Sequence, residues 1–154
     1  MITRRAFLVL ACAAAAPARA QLPPNIAQIR KRALDAAIDE VVGAAPVRTG
    51  RVKLDLPPLV DNGNTVPLSV TVESPMTAAD HVRSIHVFTE KNPQPKVISV
   101  TLGPRAGRAY VATRARIADT GQVIALAQMS DGSFWADRVD VVVTLSACLE
   151  DGLI

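Results

Sequence analysis

Two hydrophobic periods divide the chain. Over residues 25–42 apolar side chains recur at helical spacing: Ile26, Ile29, Ala33, Ala37 and Val41, with Leu34 and Ile38 on the flank. Arg30, Lys31, Arg32, Asp35, Asp39 and Glu40 fill the other face. Pro23 and Pro24 block an earlier start, Asn25 suits an N-cap, and Gly43 suits a stop. The pattern predicts one amphipathic helix that covers one end of a sheet. After Pro46 the period falls to two and stays there. Seven strands are expected, over 51–56, 65–73, 82–90, 96–102, 109–117, 123–129 and 134–147. Turn chemistry separates them: Pro57-Pro58, Asp61-Asn62-Gly63-Asn64, Ser74-Pro75, Asn92-Pro93, Gly103-Pro104, Gly107, Thr120-Gly121 and Asp131-Gly132. Short strands at near-regular spacing predict a mainly β, antiparallel sandwich. Val66, Leu68, Val70 and Val72 point one way, and Val139, Val141, Val143 and Leu145 share a face. If that alternation continues, Ala147 turns inward and Cys148 outward.

The region before the helix reads differently. Arg4 and Arg5 precede an apolar run from Ala6 to Ala16, and Ala18-Arg19-Ala20 is a small-residue cleavage site. Residues 1–20 are therefore expected to be a secretion signal, and Arg4-Arg5 followed by Ala6-Phe7-Leu8 suits twin-arginine export. The apolar run is too short to span a bilayer. Cleavage would remove Arg4, Arg5 and Arg19 from the 17 bases, leaving 14 against 14 acids. The basic balance of the full chain thus belongs to the signal, and neither nucleic acid nor an anionic membrane is indicated as a partner. The expected organisation is a signal over 1–20, a helical segment over 21–45, a sandwich over 46–147 and a cysteine-bearing tail over 148–154.

Candidate chemistry is sparse. His81 and His86 are five residues apart, which sends them to opposite faces of a regular strand, and no cysteine cluster assists them; no metal site is expected. Nucleophile-elbow, dinucleotide and phosphate-loop motifs are missing, so no cofactor is expected. Glu73, Asp80 and Glu90 are scattered, with no acid/base pair among them. Cys12 leaves with the signal, which makes Cys148 the lone thiol of the mature chain. A lone thiol in an exported protein either packs as a small apolar side chain or is presented for reaction. Position alone does not choose between these.

The run NGNTVPLSVTVESPMTAADHVRSIHVFTEKNPQPKVISVTLGP from Asn62, the run ATRARIADTGQVIALAQMSDGSFW from Ala112, and the near-terminal cysteine together resemble the SoxY sulfur carriers. The resemblance implies an immunoglobulin-like antiparallel β-sandwich with an N-terminal helix, located in the periplasm and paired with a SoxZ subunit. It implies a carrier rather than an enzyme. Cys148 would hold the sulfur intermediate while the haem protein SoxXA joins thiosulfate to the thiol. The di-manganese hydrolase SoxB would release sulfate, and a sulfane dehydrogenase or other acceptor would take the remaining sulfur. The family arm usually reads GGCGG. Here Ser146-Ala147-Cys148-Leu149-Glu150 and Asp151-Gly152-Leu153-Ile154 stand in its place. Ala147 and Leu149 narrow the backbone freedom that glycine would give. Glu150 and Asp151 disfavour a thiolate and repel an anionic donor. The alternative is a divergent SoxY-like binding or assembly subunit with no carrier activity.

Overall fold

The computed structural model describes residues 25–145. Helix α1 spans Ile26–Val42, capped by the Asn25 side chain, which accepts from the Ala27 N–H, and closed by Gly43, whose N–H bonds the Asp39 carbonyl. Nine strands follow: β1 Val47–Arg48, β2 Val52–Asp55, β3 Leu59–Asn62, β4 Val66–Val72, β5 Val82–Thr89, β6 Lys96–Thr101, β7 Ala109–Ala115, β8 Gly121–Met129 and β9 Phe134–Leu145. They build a β-sandwich. One sheet runs β1-β9-β8-β5-β6, with β3 also on β9; the other runs β2-β4-β7. The seven expected strands are all present, each within one or two residues of its expected start. β1 and β3 were not expected, and both pair in parallel with β9, so the sandwich is not purely antiparallel.

The inter-sheet core is aliphatic. Val66, Leu68, Val70 and Val72 of β4 are buried as their alternation requires, facing Ile85, Val87, Val123, Ala125 and Val141 of the larger sheet. At about 25 cal/mol per Å² of apolar area removed from water, each fully buried Val or Ile contributes about 1.5–3 kcal/mol.

A second core lies on the outer face of the large sheet. There Phe88, Ile124, Leu126, Phe134 and Ala136 bury the helix residues Leu34 and Val42. The helix thus lies on a sheet face rather than covering one end. Its expected apolar stripe is also displaced. Leu34, Ile38, Val41 and Val42 pack, while Ile26 and Ile29 remain 62% and 45% exposed because the sheet's apolar surface stops short of the first turns.

β9 organises the large sheet. Val47 and Arg48 pair with Phe134 and Trp135 at its start; Leu59, Val60 and Asn62 pair with Val142, Val143 and Leu145 at its end. Between these contacts the chain crosses to the other sheet as β2. Asp137 of β9 bridges the crossing by accepting from the Leu54 N–H at 2.8 Å. At the start of β9, Arg48 and Arg51 stack on the Trp135 ring at 5.7 and 5.4 Å from its centroid. The backbone between them turns at Gly50, with φ at +121°.

Candidate functional site

Cys148, the residue singled out in the sequence, lies outside the described residues, as do residues 1–20, expected to be a signal, and Cys12. The structure describes the platform from which residue 146 departs. Leu145 ends β9 and is 67% exposed, although its alternation points inward, because the core closes at Val143. The Leu145 carbonyl accepts from the Gly63 N–H at 3.0 Å, and the Gly63 carbonyl accepts from the Ile117 N–H at 2.8 Å. The Thr120 hydroxyl accepts from the Val143 N–H at 2.9 Å, and the Thr144 hydroxyl donates to the Asp61 carbonyl at 3.1 Å. The Val142 N–H bonds the Pro58 carbonyl at 2.9 Å. Three connecting segments therefore clamp the last turn of backbone before the tail. Whatever chemistry the tail performs starts from a rigid post.

Ile117 sits beside a second clamp. The Asn92 amide donates to the Arg116 carbonyl at 2.9 Å and accepts from the Ala118 N–H at 2.8 Å. Asn92 was expected only as a turn former; its side chain is instead buried and ties the loop after β5 to the end of β7. Between the free edges of β6 and β7 opens a groove of about 510 Å³, lined by Asn92, Gln94, Lys96, Arg114 and Arg116 among others. A larger groove of about 830 Å³ flanks Arg114 on its other side, between Asp55–Pro58, Pro67–Ser69 and Ala112–Thr113.

The two histidines sit in separate hydrogen-bonded settings. The His81 ring meets the Thr77 carbonyl at 3.0 Å. His86 lies between the Ser84 and Ser99 hydroxyls at 3.0 and 2.9 Å, a cluster created by β5–β6 register. Burial, and then the Lys96 charge, lower the His86 pKa, so the ring is neutral over most of the physiological range. Among the described residues no three His, Cys, Asp or Glu side chains gather to hold a metal. Glu90 is occupied by Lys91 at 2.9 Å and Asp80 by Arg51 at 3.6 Å. No acid/base pair forms from the carboxylates named in the sequence reading.

A family model described as sulfur oxidation protein SoxY matches residues 38–148. The chain belongs to the SoxY family. Among solved structures it is similar to the sulfur carrier protein SoxY from Chlorobium limicola f thiosulfatophilum. The two share 28% identity over 74% of this chain and 98% of that one, with a TM-score of 0.62. A superoxide reductase (neelaredoxin) from Ignicoccus hospitalis aligns at 20% identity over 61% of this chain and 80% of its own, with a TM-score of 0.54. A putative superoxide reductase from Thermotoga maritima aligns at 21% identity over 64% and 93%, with a TM-score of 0.52. These two share the sandwich fold alone. No curated protein sequence matches the chain.

Proposed function

We propose that the chain carries sulfur-oxidation intermediates covalently on Cys148. What supports this reading is the family match, which runs to residue 148 itself, together with a β9 terminus that is clamped yet ends exposed. In this reading the protein is exported to the periplasm through its twin-arginine signal and pairs with SoxZ. SoxXA joins the Cys148 sulfur to the outer sulfur of thiosulfate, taking two electrons and releasing the thiol proton. SoxB hydrolyses the adduct to free sulfate, leaving a persulfide on Cys148. A sulfane dehydrogenase or another acceptor then removes the remaining sulfur. The chain itself supplies attachment and presentation rather than catalysis.

Intact mass spectrometry of the mature protein from the periplasm of cells given thiosulfate tests this. Sulfane or thiosulfonate mass increments, absent from Cys148→Ala, are the expected result. An unmodified thiol, under conditions that load a GGCGG carrier, would overturn it. The glycine-poor, acidic sequence around Cys148 favours a second reading, a SoxY-like assembly subunit. That reading requires Cys148→Ala to bind SoxZ and to retain full function.

A further inference from the structure

Charge is unevenly placed along the chain. Residues 91–118 hold six bases, Lys91, Lys96, Arg105, Arg108, Arg114 and Arg116, and no acid; the rest of 25–145 holds eight bases and twelve acids. In space this span is β6, β7 and the loops at their ends. β6 pairs with β5 alone and β7 with β4 alone, so both sheets end here in edge strands that are open among the described residues. Part of the charge is tied up within the fold: Lys91 meets Glu90 at 2.9 Å, Lys96 meets Glu40 of α1 at 3.2 Å, and Arg108 lies over the Tyr110 ring at 4.5 Å. Arg114 and Arg116 are exposed and make no ion pair among the described residues. With Lys96 they line the groove of about 510 Å³ between the two edges, which also includes the half-buried Val97 and Ile98 and no acid. The larger groove on the other side of Arg114 contains Asp55.

The β6 edge offers backbone groups in a definite register. In an antiparallel pair, opposed residues alternate between exchanging both backbone bonds and exchanging none. The Leu102 N–H bonds the Arg83 carbonyl at 2.8 Å, and the same register pairs Val100 with Ile85 and Ile98 with Val87. Val100 and Ile98 therefore bond β5. The N–H and C=O groups of Ser99 and Thr101 point the other way, out of the sheet. Such an edge is a template for a further strand unless charge or proline blocks it. From Val97 to Thr101 the strand carries neither. Its six residues span about 20 Å, with Arg114 and Arg116 beside its first turn of backbone and Arg105 and Arg108 in or after the loop at its far end.

We propose that the β6 edge takes up an extended acidic segment of a partner protein as an added strand, with carboxylates of that segment against Arg114 and Arg116. Backbone bonds to Ser99 and Thr101 hold the strand, and Val97 and Ile98 give it apolar contact. The arginines set its direction and select against basic segments. Asp55 makes the larger groove the wrong surface for the same segment. The proposal uses no feature of Cys148, so it stands or falls apart from the carrier reading.

The test uses the chain without residues 1–20 and a fluorescent, end-blocked peptide of about eight residues that alternates Glu and Val, a length that matches a strand. Anisotropy should show binding that weakens as salt rises from about 0.01 to 0.3 M and the screening length shrinks. R114Q/R116Q removes two exposed ion pairs and should weaken binding about three- to tenfold. The same peptide with Lys for Glu should not bind. A peptide N-methylated at every residue keeps the charge and loses the backbone donors, and it too should not bind. Amide shifts in the ¹⁵N spectrum should gather at Ser99, Thr101 and residues 114–116. Equal affinity for R114Q/R116Q, or for the methylated peptide, would overturn the proposal, as would shifts gathered elsewhere. Shifts at 114–116 with inorganic sulfate but none with the peptide would overturn it and assign a small-anion site. A peptide-free dimer that R114Q/R116Q dissociates would overturn it and assign the edge to a second copy.

Discussion

Asn92→Ala removes the clamp that sets both the floor of the basic groove and the position of Ile117. The side chain is 9% exposed, and both of its hydrogen bonds go to backbone. Ala118 is 3% exposed, so its N–H loses its partner where water cannot replace it. Such an orphaned donor costs about 1–3 kcal/mol. The Arg116 carbonyl belongs to an exposed residue and can turn to water, which limits that loss to about 1 kcal/mol. The sum is about 2–4 kcal/mol, a large part of the roughly 5–15 kcal/mol that holds a domain of this kind. Urea unfolding followed by the fluorescence of the single tryptophan, Trp135, reads it directly. The midpoint should fall with the slope unchanged. Asn92→Asp keeps the acceptor for Ala118 and loses the donor to Arg116, so it should recover at least half of the loss. A shift below about 0.5 kcal/mol for Asn92→Ala would refute the reasoning, because that is the scale of an ordinary surface substitution.

Leu34→Ala should cost about 2–4 kcal/mol in the same assay, since Leu34 anchors α1 on Phe88, Ile124 and Leu126; a cost near zero would mean that the helix is not part of the cooperative unit. Gly50→Ala should lower stability by about 1–3 kcal/mol, because φ is +121° there, and an unchanged melting temperature would contradict that strain. His86 has a folded pKa below its ordinary 6.5, so the unfolded chain binds the proton more readily. Stability should therefore decline as pH falls from about 6.5 through the lowered folded value, and His86→Gln should flatten that limb. Glu90 is held below its ordinary 4.5, chiefly by the Lys91 hydrogen bond. Its contribution is present above about pH 4.5 and is lost as pH falls through the depressed value; as a largely solvated pair it should stay below about 1 kcal/mol, measured as the difference from Glu90→Gln at pH 7 and pH 3.

The alternating pattern carried most of the fold. β4 buries all four of its expected valine and leucine residues, and every observed strand of four or more residues was expected except β3. β1 has two residues and β3 four, and each exists only because β9, about eighty residues away, offers a parallel ladder. Local periodicity cannot register such pairings. The helix was legible as a helix, but which of its faces packs depended on where Phe88 and Phe134 of the sheet ended. Candidate-site chemistry was less legible. Asn92 looked like a turn residue because the groups it bonds, at 116 and 118, are distant in sequence. Arg114 and Arg116 were hidden by a net charge taken over the whole mature chain. The signal was there in the acid-free stretch from Lys91 to Arg116, and it became spatial only when β6 and β7 proved to be the open edges.

The central place of β9 has a consequence for the order of assembly. Among the described strands this one is the last to be synthesised, yet β8, β1 and β3 all lean on it, and Asp137 within it secures the β2 crossing. A nascent chain stopped before Phe134 leaves β8 with an open edge, and one stopped before Val142 still leaves β3 without a ladder, so the sandwich cannot close while the chain is still emerging. Folding is therefore dominated by late, distant pairings, and the expected kinetics are slow, in the millisecond-to-second range of β-sandwiches. The residues that follow Leu145 are made within moments of the strand that completes the domain. A product truncated within β9 thus loses part of the ladder that closes the domain, and a nonsense codon early in that strand yields a chain for proteases to clear rather than a folded domain.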